Sequence, residues 1–197
     1  RTQRQVIAAR SRFSVGIDAL GSTLNNHDEH VPDSRFFAWL GQFQWVRRLP
    51  ILDATLLYRF DLQLAAQPLL VLEQIAAGGR YSVRGYRENT LVRDNAFLTS
   101  LEVRVPLIRN VPGADYVELA PFVDYGRAWE TARPTPDPQH LASVGLGLRW
   151  AATFTWPISL RPQFEVYWGN RLVDVKPRSG SNLQDNRIHL QFVLAAF

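Results

Sequence analysis

The chain has 197 residues, 46% of them hydrophobic, and a formal net charge of +4, enough for one sizeable domain. It contains no cysteine, which excludes disulfide frameworks, thiolate nucleophiles and cysteine-bound zinc. Its arginines are spread rather than clustered, which argues against a nucleic-acid partner, and it lacks the run of about 18 apolar residues that a transmembrane helix needs.

The chain opens on Arg1 with neither an initiator methionine nor a charged-then-apolar targeting stretch, and we read it as a fragment of a longer protein. Alternation with period two, which places successive side chains on opposite faces of a strand, is the main local signal. Weak versions cover 6–19 and 35–47. The stretch 52–66 is clearer: Leu52, Ala54, Leu56, Tyr58, Phe60, Leu62, Leu64 and Ala66 share one face, and Asp53, Thr55, Arg59, Asp61 and Gln63 the other.

Further along, Phe97, Leu101, Val103, Val105 and Leu107 oppose Ser100, Glu102 and Arg104. A weaker strand spans 116–129. Over 142–150, Ala142, Val144, Leu146, Leu148 and Trp150 oppose Ser143, Gly145, Gly147 and Arg149. Over 158–168, Ile158, Leu160, Phe164, Val166 and Trp168 oppose Ser159, Arg161, Gln163 and Glu165. A last strand is expected at 187–197. Pro121 and Pro162 fall inside two of these strands, where each removes a ladder donor and predicts a bulge or local mispairing.

About eight strands result, each near the 9–11 residues that cross a membrane. Their connections alternate: long at 20–34, tight at Arg48-Leu49-Pro50, long at 67–95, modest at 108–115, long at 130–139, tight at 154–157 and long at 171–186. Outer-membrane barrels alternate short periplasmic turns with long surface loops in this way. Trp39, Trp45, Trp129, Trp150, Trp156 and Trp168 sit near strand ends, as interfacial side chains do. Alternation leaves two readings open. A soluble ligand-binding barrel turns the apolar set inward, whereas a membrane barrel turns it toward lipid and leaves a polar lumen of mixed sign.

The long segment 67–95 contains Gly78-Gly79-Arg80-Tyr81-Ser82-Val83-Arg84-Gly85-Tyr86-Arg87-Glu88. Its core, Val83, Arg84, Gly85 and Tyr86, resembles the loop motif of the superfamily comprising the outer-membrane barrel assembly factor and the two-partner secretion transporters. A second stretch, Phe122-Val123-Asp124-Tyr125-Gly126, resembles that superfamily's Phe-x-Asp-x-Gly motif. The resemblance implies a loop folded back into the barrel, with Arg84 meeting Asp124 on the inner wall. It also implies that these strands are the C-terminal half of a 16-stranded barrel, with the N-terminal strands and the periplasmic POTRA domains outside this chain.

Outer-membrane barrels commonly end on phenylalanine, which makes Phe197 a candidate insertion signal. Ile188, Leu190, Phe192 and Leu194 are one residue out of phase with it, so either Ala195-Ala196 holds a bulge or the terminal side chain turns inward. His27-Asp28-Glu29-His30 has metal-ligand residue types but neither an aligning helix nor a third cluster, and is read as a polar loop. His140 and His189 are read as strand residues rather than general bases. No Gly-x-Ser-x-Gly and no phosphate-binding glycine loop occurs.

We therefore expect an all-β transmembrane antiparallel β-barrel over 1–197, not an enzyme and without a cofactor. By resemblance it belongs in a bacterial outer membrane and secretes an unfolded partner polypeptide. Its other partners are outer-membrane lipid and the barrel assembly machinery. An insertase of the same fold and a soluble ligand-binding barrel are the alternatives.

Overall fold

The computed structural model describes residues 4–19, 31–155, 159–175 and 184–196. Ten strands follow in chain order: β1 Gln5–Val15, β2 Phe37–Arg48, β3 Thr55–Ala65, β4 Ile75–Ala77, β5 Leu91–Arg93, β6 Asn95–Val111, β7 Ala114–Trp129, β8 His140–Ala151, β9 Leu160–Arg171 and β10 Ile188–Ala196. Eight of them form one antiparallel sheet in the order β1-β2-β3-β6-β7-β8-β9-β10, while β4 and β5 pair by themselves. The all-β expectation holds, with no α-helix among the described residues. Every neighbour in the large sheet is also a neighbour in sequence once the β4–β5 hairpin is set aside. The strand ends that flank 16–36, 66–94, 130–139 and 172–187 therefore lie at one end of the sheet, and those that flank 49–54, 112–113 and 152–159 at the other.

Several boundaries differ from the sequence reading. β3 begins at Thr55 rather than at residue 52, because Leu52 and Asp53 take positive φ (57° and 50°) in a turn closed by Leu49 N–H donating to Ala54 O at 2.7 Å. Asp53 accordingly pairs with Arg48 at 2.6 Å in that turn instead of lining the sheet. The connection expected at 108–115 shrinks to residues 112–113, with Gly113 at φ 81° supplying the reversal, so β6 and β7 are longer than their alternation suggested.

Of the bulge or local mispairing expected at Pro121 and Pro162, no bulge occurs at either, and each shows a local loss of pairing. Register is continuous past Pro121, although pairing with β6 lapses between Glu102–Phe122 and Val105–Leu119. Pairing of β9 with β8 stops at Gln163, just short of Pro162. Both prolines thus sit where a missing donor leaves a short gap rather than a shifted register. The one register shift in the β6–β7 ladder lies between Pro106 and Ile108. Ala195 and Ala196 stay in step with Arg161 and Leu160, so no bulge occurs there, and Phe197 lies outside the described residues.

The apolar set is the more exposed of the two faces. Leu101, Val123, Leu146, Leu148, Phe192 and Leu194 stand exposed on the apolar face, whereas Gln63, Ser100, Glu102, Asp124, Ser143 and His189 are buried on the polar one. Trp39, Trp129 and Trp168 lie toward the long-connection end of their strands, Trp45 and Trp150 toward the short-turn end. Trp156 and the segment His27–His30 lie outside the described residues. Among the described residues no group of three His, Cys, Asp or Glu is placed to hold a metal ion.

Candidate functional site

What buries the polar face is the long connection 66–94. The β4–β5 hairpin carries it over the sheet, and Gly78 and Gly79, both at φ 103°, turn its tip. There Gly78 N–H donates to Ser82 Oγ at 2.9 Å and Gly79 N–H to Val83 O at 3.1 Å. Val83, Tyr86 and Leu91 then pack with Ala77 on Ala96, Leu98, Ala128 and Leu141. Small wall residues make this fit possible. A Cβ on Gly126 would lie 3.0 Å from Val83 Cγ2 and 2.8 Å from Leu98 Cδ2.

Arg84 enters the wall at the pairing of Ser100 with Asp124 across β6 and β7. Its Nε donates to Asp124 Oδ2 at 2.8 Å and its Nη2 to Asp124 Oδ1 at 2.8 Å, while its backbone N–H donates to Oδ2 at 3.0 Å. The Nη1 group pairs with Glu102, and Ser100 Oγ donates to Asp124 Oδ1 at 2.7 Å. Glu102 also accepts from Arg104 Nε at 2.6 Å, which balances two carboxylates with two guanidiniums. Arg84 is 2% exposed and Asp124 1%. Burial opposes the Arg84 cation, but Asp124 and Glu102 outweigh it and raise the guanidinium above its ordinary range. The Phe122 ring centre lies 3.6 Å from the Arg84 guanidinium carbon and that of Tyr167 4.9 Å from it.

The rest of the motif binds the neighbouring strands. Gly85, at φ 89°, donates its N–H to His189 Nε2 at 2.9 Å, and a Cβ there would meet Gly169 O at 2.4 Å, so motif and β9 backbones touch directly. The Tyr86 hydroxyl lies 2.8 Å from Ala142 O and 2.9 Å from Val173 O, donating to one, and accepts from Val173 N–H at 3.1 Å. Arg87 pairs with Asp185, and Arg80 with Glu165. This geometry can hold a loop against a wall.

The structure thus brings together Val83, Arg84, Gly85, Tyr86, Phe122, Asp124 and Gly126. Sequence reasoning missed Glu102 and Ser100 as partners of Arg84, Tyr167 as its ring neighbour, and His189 as the acceptor for Gly85. The alternation had put Ser100 and Glu102 on the polar face, but only the β6–β7 register sets them beside Asp124.

The family model of haemolysin secretion/activation proteins ShlB/FhaC/HecB matches residues 1–150. The chain belongs to this family. Its members are non-enzymatic outer-membrane proteins of two-partner secretion. The matched span takes in the motif loop and Asp124 and ends within β8. No match was found among curated proteins or solved structures.

Proposed function

We propose that this chain is the C-terminal part of a transmembrane β-barrel that passes an unfolded partner polypeptide across the bacterial outer membrane. In this reading the apolar face meets outer-membrane lipid, the polar face lines the conduit, and the long connections face the cell exterior. The loop 67–95 folds inward, where Arg84 locks it to Asp124 and Glu102. The remaining strands and the POTRA domains belong to the longer protein, and the barrel assembly machinery inserts it, with Phe197 as part of the signal. Family membership favours secretion over an insertase role.

The observation that carries this reading is the buried ion pair of the motif loop with the polar face, combined with the exposure of the apolar one. A soluble ligand-binding barrel requires the reverse arrangement. The test is export of the partner polypeptide by the full-length protein, alongside fractionation. Recovery in the outer membrane, heat-modifiable migration in detergent gels and loss of export in Arg84→Ala are expected. A soluble monomer obtained without detergent would overturn the membrane assignment, and normal export from Arg84→Ala at wild-type barrel levels would overturn the lock.

A further inference from the structure

Beyond the lock lies an alternating stack of rings and guanidiniums that runs from the loop tip to the buried site. Tyr81, 67% exposed at the tip, has the Arg80 guanidinium carbon 5.4 Å from its ring centre. Arg80 lies 5.2 Å from the centre of Tyr167, Arg84 lies 4.9 Å from the same ring, and Arg84 lies 3.6 Å from Phe122. Each step is within the roughly 6 Å over which a ring quadrupole attracts a cation.

The stack has a carved seat. Tyr167 is 3% exposed on β9, and a Cβ on Gly147 of β8 would come within 2.3 Å of its ring, so only a residue without one leaves that space open. Carboxylates balance the cations along its length. Arg80 pairs with Glu165, Glu165 accepts from Arg149 Nη2 at 3.0 Å, and Arg149 Nη1 reaches Glu118 at 2.7 Å. With Arg84, Arg104, Glu102 and Asp124 this makes four guanidiniums and four carboxylates. The Arg80 and Glu165 side chains are each 14% exposed, so their pair is largely withdrawn from the solvent screening that weakens surface ion pairs.

We propose that Arg80 is a second positioning residue of the loop: it fastens the tip to β9 through Glu165 and, by sharing the Tyr167 ring with Arg84, couples the tip to the buried lock. Tip and lock then loosen together rather than independently. The role in export rests on the function proposed above, but the positioning claim does not, because loop release is measured separately from secretion.

The chain contains no cysteine, so Val83→Cys, at a 0% exposed position, gives a reporter thiol in the motif itself. With this as the only cysteine of the full-length protein in outer membranes, the rate of maleimide modification reports lifting of the loop. Arg80→Gln and Glu165→Gln should each accelerate modification on the order of tenfold, and Arg80→Lys, which keeps the charge but not the planar fork, should fall between. Tyr167→Leu should also accelerate it, and in that background Arg80→Gln should add less than it does alone. Heat-modifiable migration at reference levels shows that each variant barrel is folded. Rates within about twofold of the reference for both Arg80→Gln and Glu165→Gln overturn the tip latch, and equal effects of Arg80→Gln in both backgrounds overturn the coupling. Faster labelling with unchanged export leaves the latch standing and overturns the export role of the loop. Unchanged labelling with lost export does the opposite.

Discussion

One guanidinium takes both oxygens of one carboxylate: Arg84 donates from Nε to Oδ2 and from Nη2 to Oδ1 of Asp124, each at 2.8 Å. The fork geometry of arginine matches a carboxylate in this way, and lysine cannot reproduce it. Because both partners are buried, removing one strands the other's charge, at a cost on the order of 3–5 kcal/mol. Arg84→Ala and Asp124→Ala should each abolish most export while the barrel stays inserted. The double variant should be no worse than either single one, measured as secreted partner per inserted barrel. Arg84→Lys should restore little.

Gly85 gives a backbone test of the same contact. Its φ of 89° and the 2.4 Å approach of a Cβ to Gly169 O mean that Gly85→Ala adds both strain and a clash with main chain, which has no rotamer to yield. The strain alone is worth about 1–3 kcal/mol. Limited proteolysis within 78–90 should quicken in Gly85→Ala, whereas Gly113→Ala, where a Cβ meets nothing within 4 Å but φ is also positive, should leave the loop intact. Equal protection of the motif in both variants would mean that the close approach to β9 is dispensable.

The end of the loop is tied down by Asp94, which is 0% exposed and accepts from Leu69 N–H, Gln74 Nε2 and Thr131 N–H, each at 2.9 Å. Burial opposes ionisation of the Asp94 carboxyl, but these donors outweigh it and hold Asp94 below the usual carboxylate range, while burial and Asp94 itself push the neighbouring Glu130 up. A depressed carboxylate contributes stability above its unfolded value of about 3.9, lost as pH falls through the lower folded value. Acidification from neutrality should therefore protonate Glu130 first and leave the Asp94 attachments in place until below about pH 4. Protease sensitivity of segments 66–74 and 130–139 should stay flat down to that point, and Asp94→Asn should raise it already at neutral pH.

Leu146, 44% exposed near the middle of β8, tests the assignment of faces. Under the membrane reading Leu146→Arg places a charge against hydrocarbon at about 2–4 kcal/mol and should lower the yield of heat-modifiable barrel in outer membranes. Gly147→Arg would confound this by striking Tyr167, so Arg161→Gln, at a strand end, is the better comparison and should insert normally. Insertion of Leu146→Arg at wild-type levels would argue against lipid on that face.

The proposed orientation, with long connections outside, is tested by labelling. A cysteine at Pro136 should label from outside intact cells, and one at Ile51 (75% exposed) should not. The reverse pattern would invert the barrel in the membrane.

By itself the sequence determined the eight strands of the large sheet, though not all their ends nor the β4–β5 hairpin, together with the alternation of long and short connections and the two motifs. Period two is imposed by the pleat on every strand, so Leu101 against Glu102 or Val123 against Asp124 is legible without knowing any neighbour. Glycines and prolines blurred the boundaries, since Pro121 could signal a bulge or, as found, a gap in an unshifted ladder. What only the tertiary structure decided was which face is buried and who meets whom. Equal alternation fits a sheet turned either way, and the choice was made by the loop 66–94 settling on the polar face. The resemblance named Asp124 as the partner of Arg84, but Glu102, Ser100, Tyr167 and His189 come from three other strands, and their proximity depends on register. A slip of one residue in β6 would have turned Glu102 to the opposite face, because contacts across a sheet are set by pairing and not by distance along the chain.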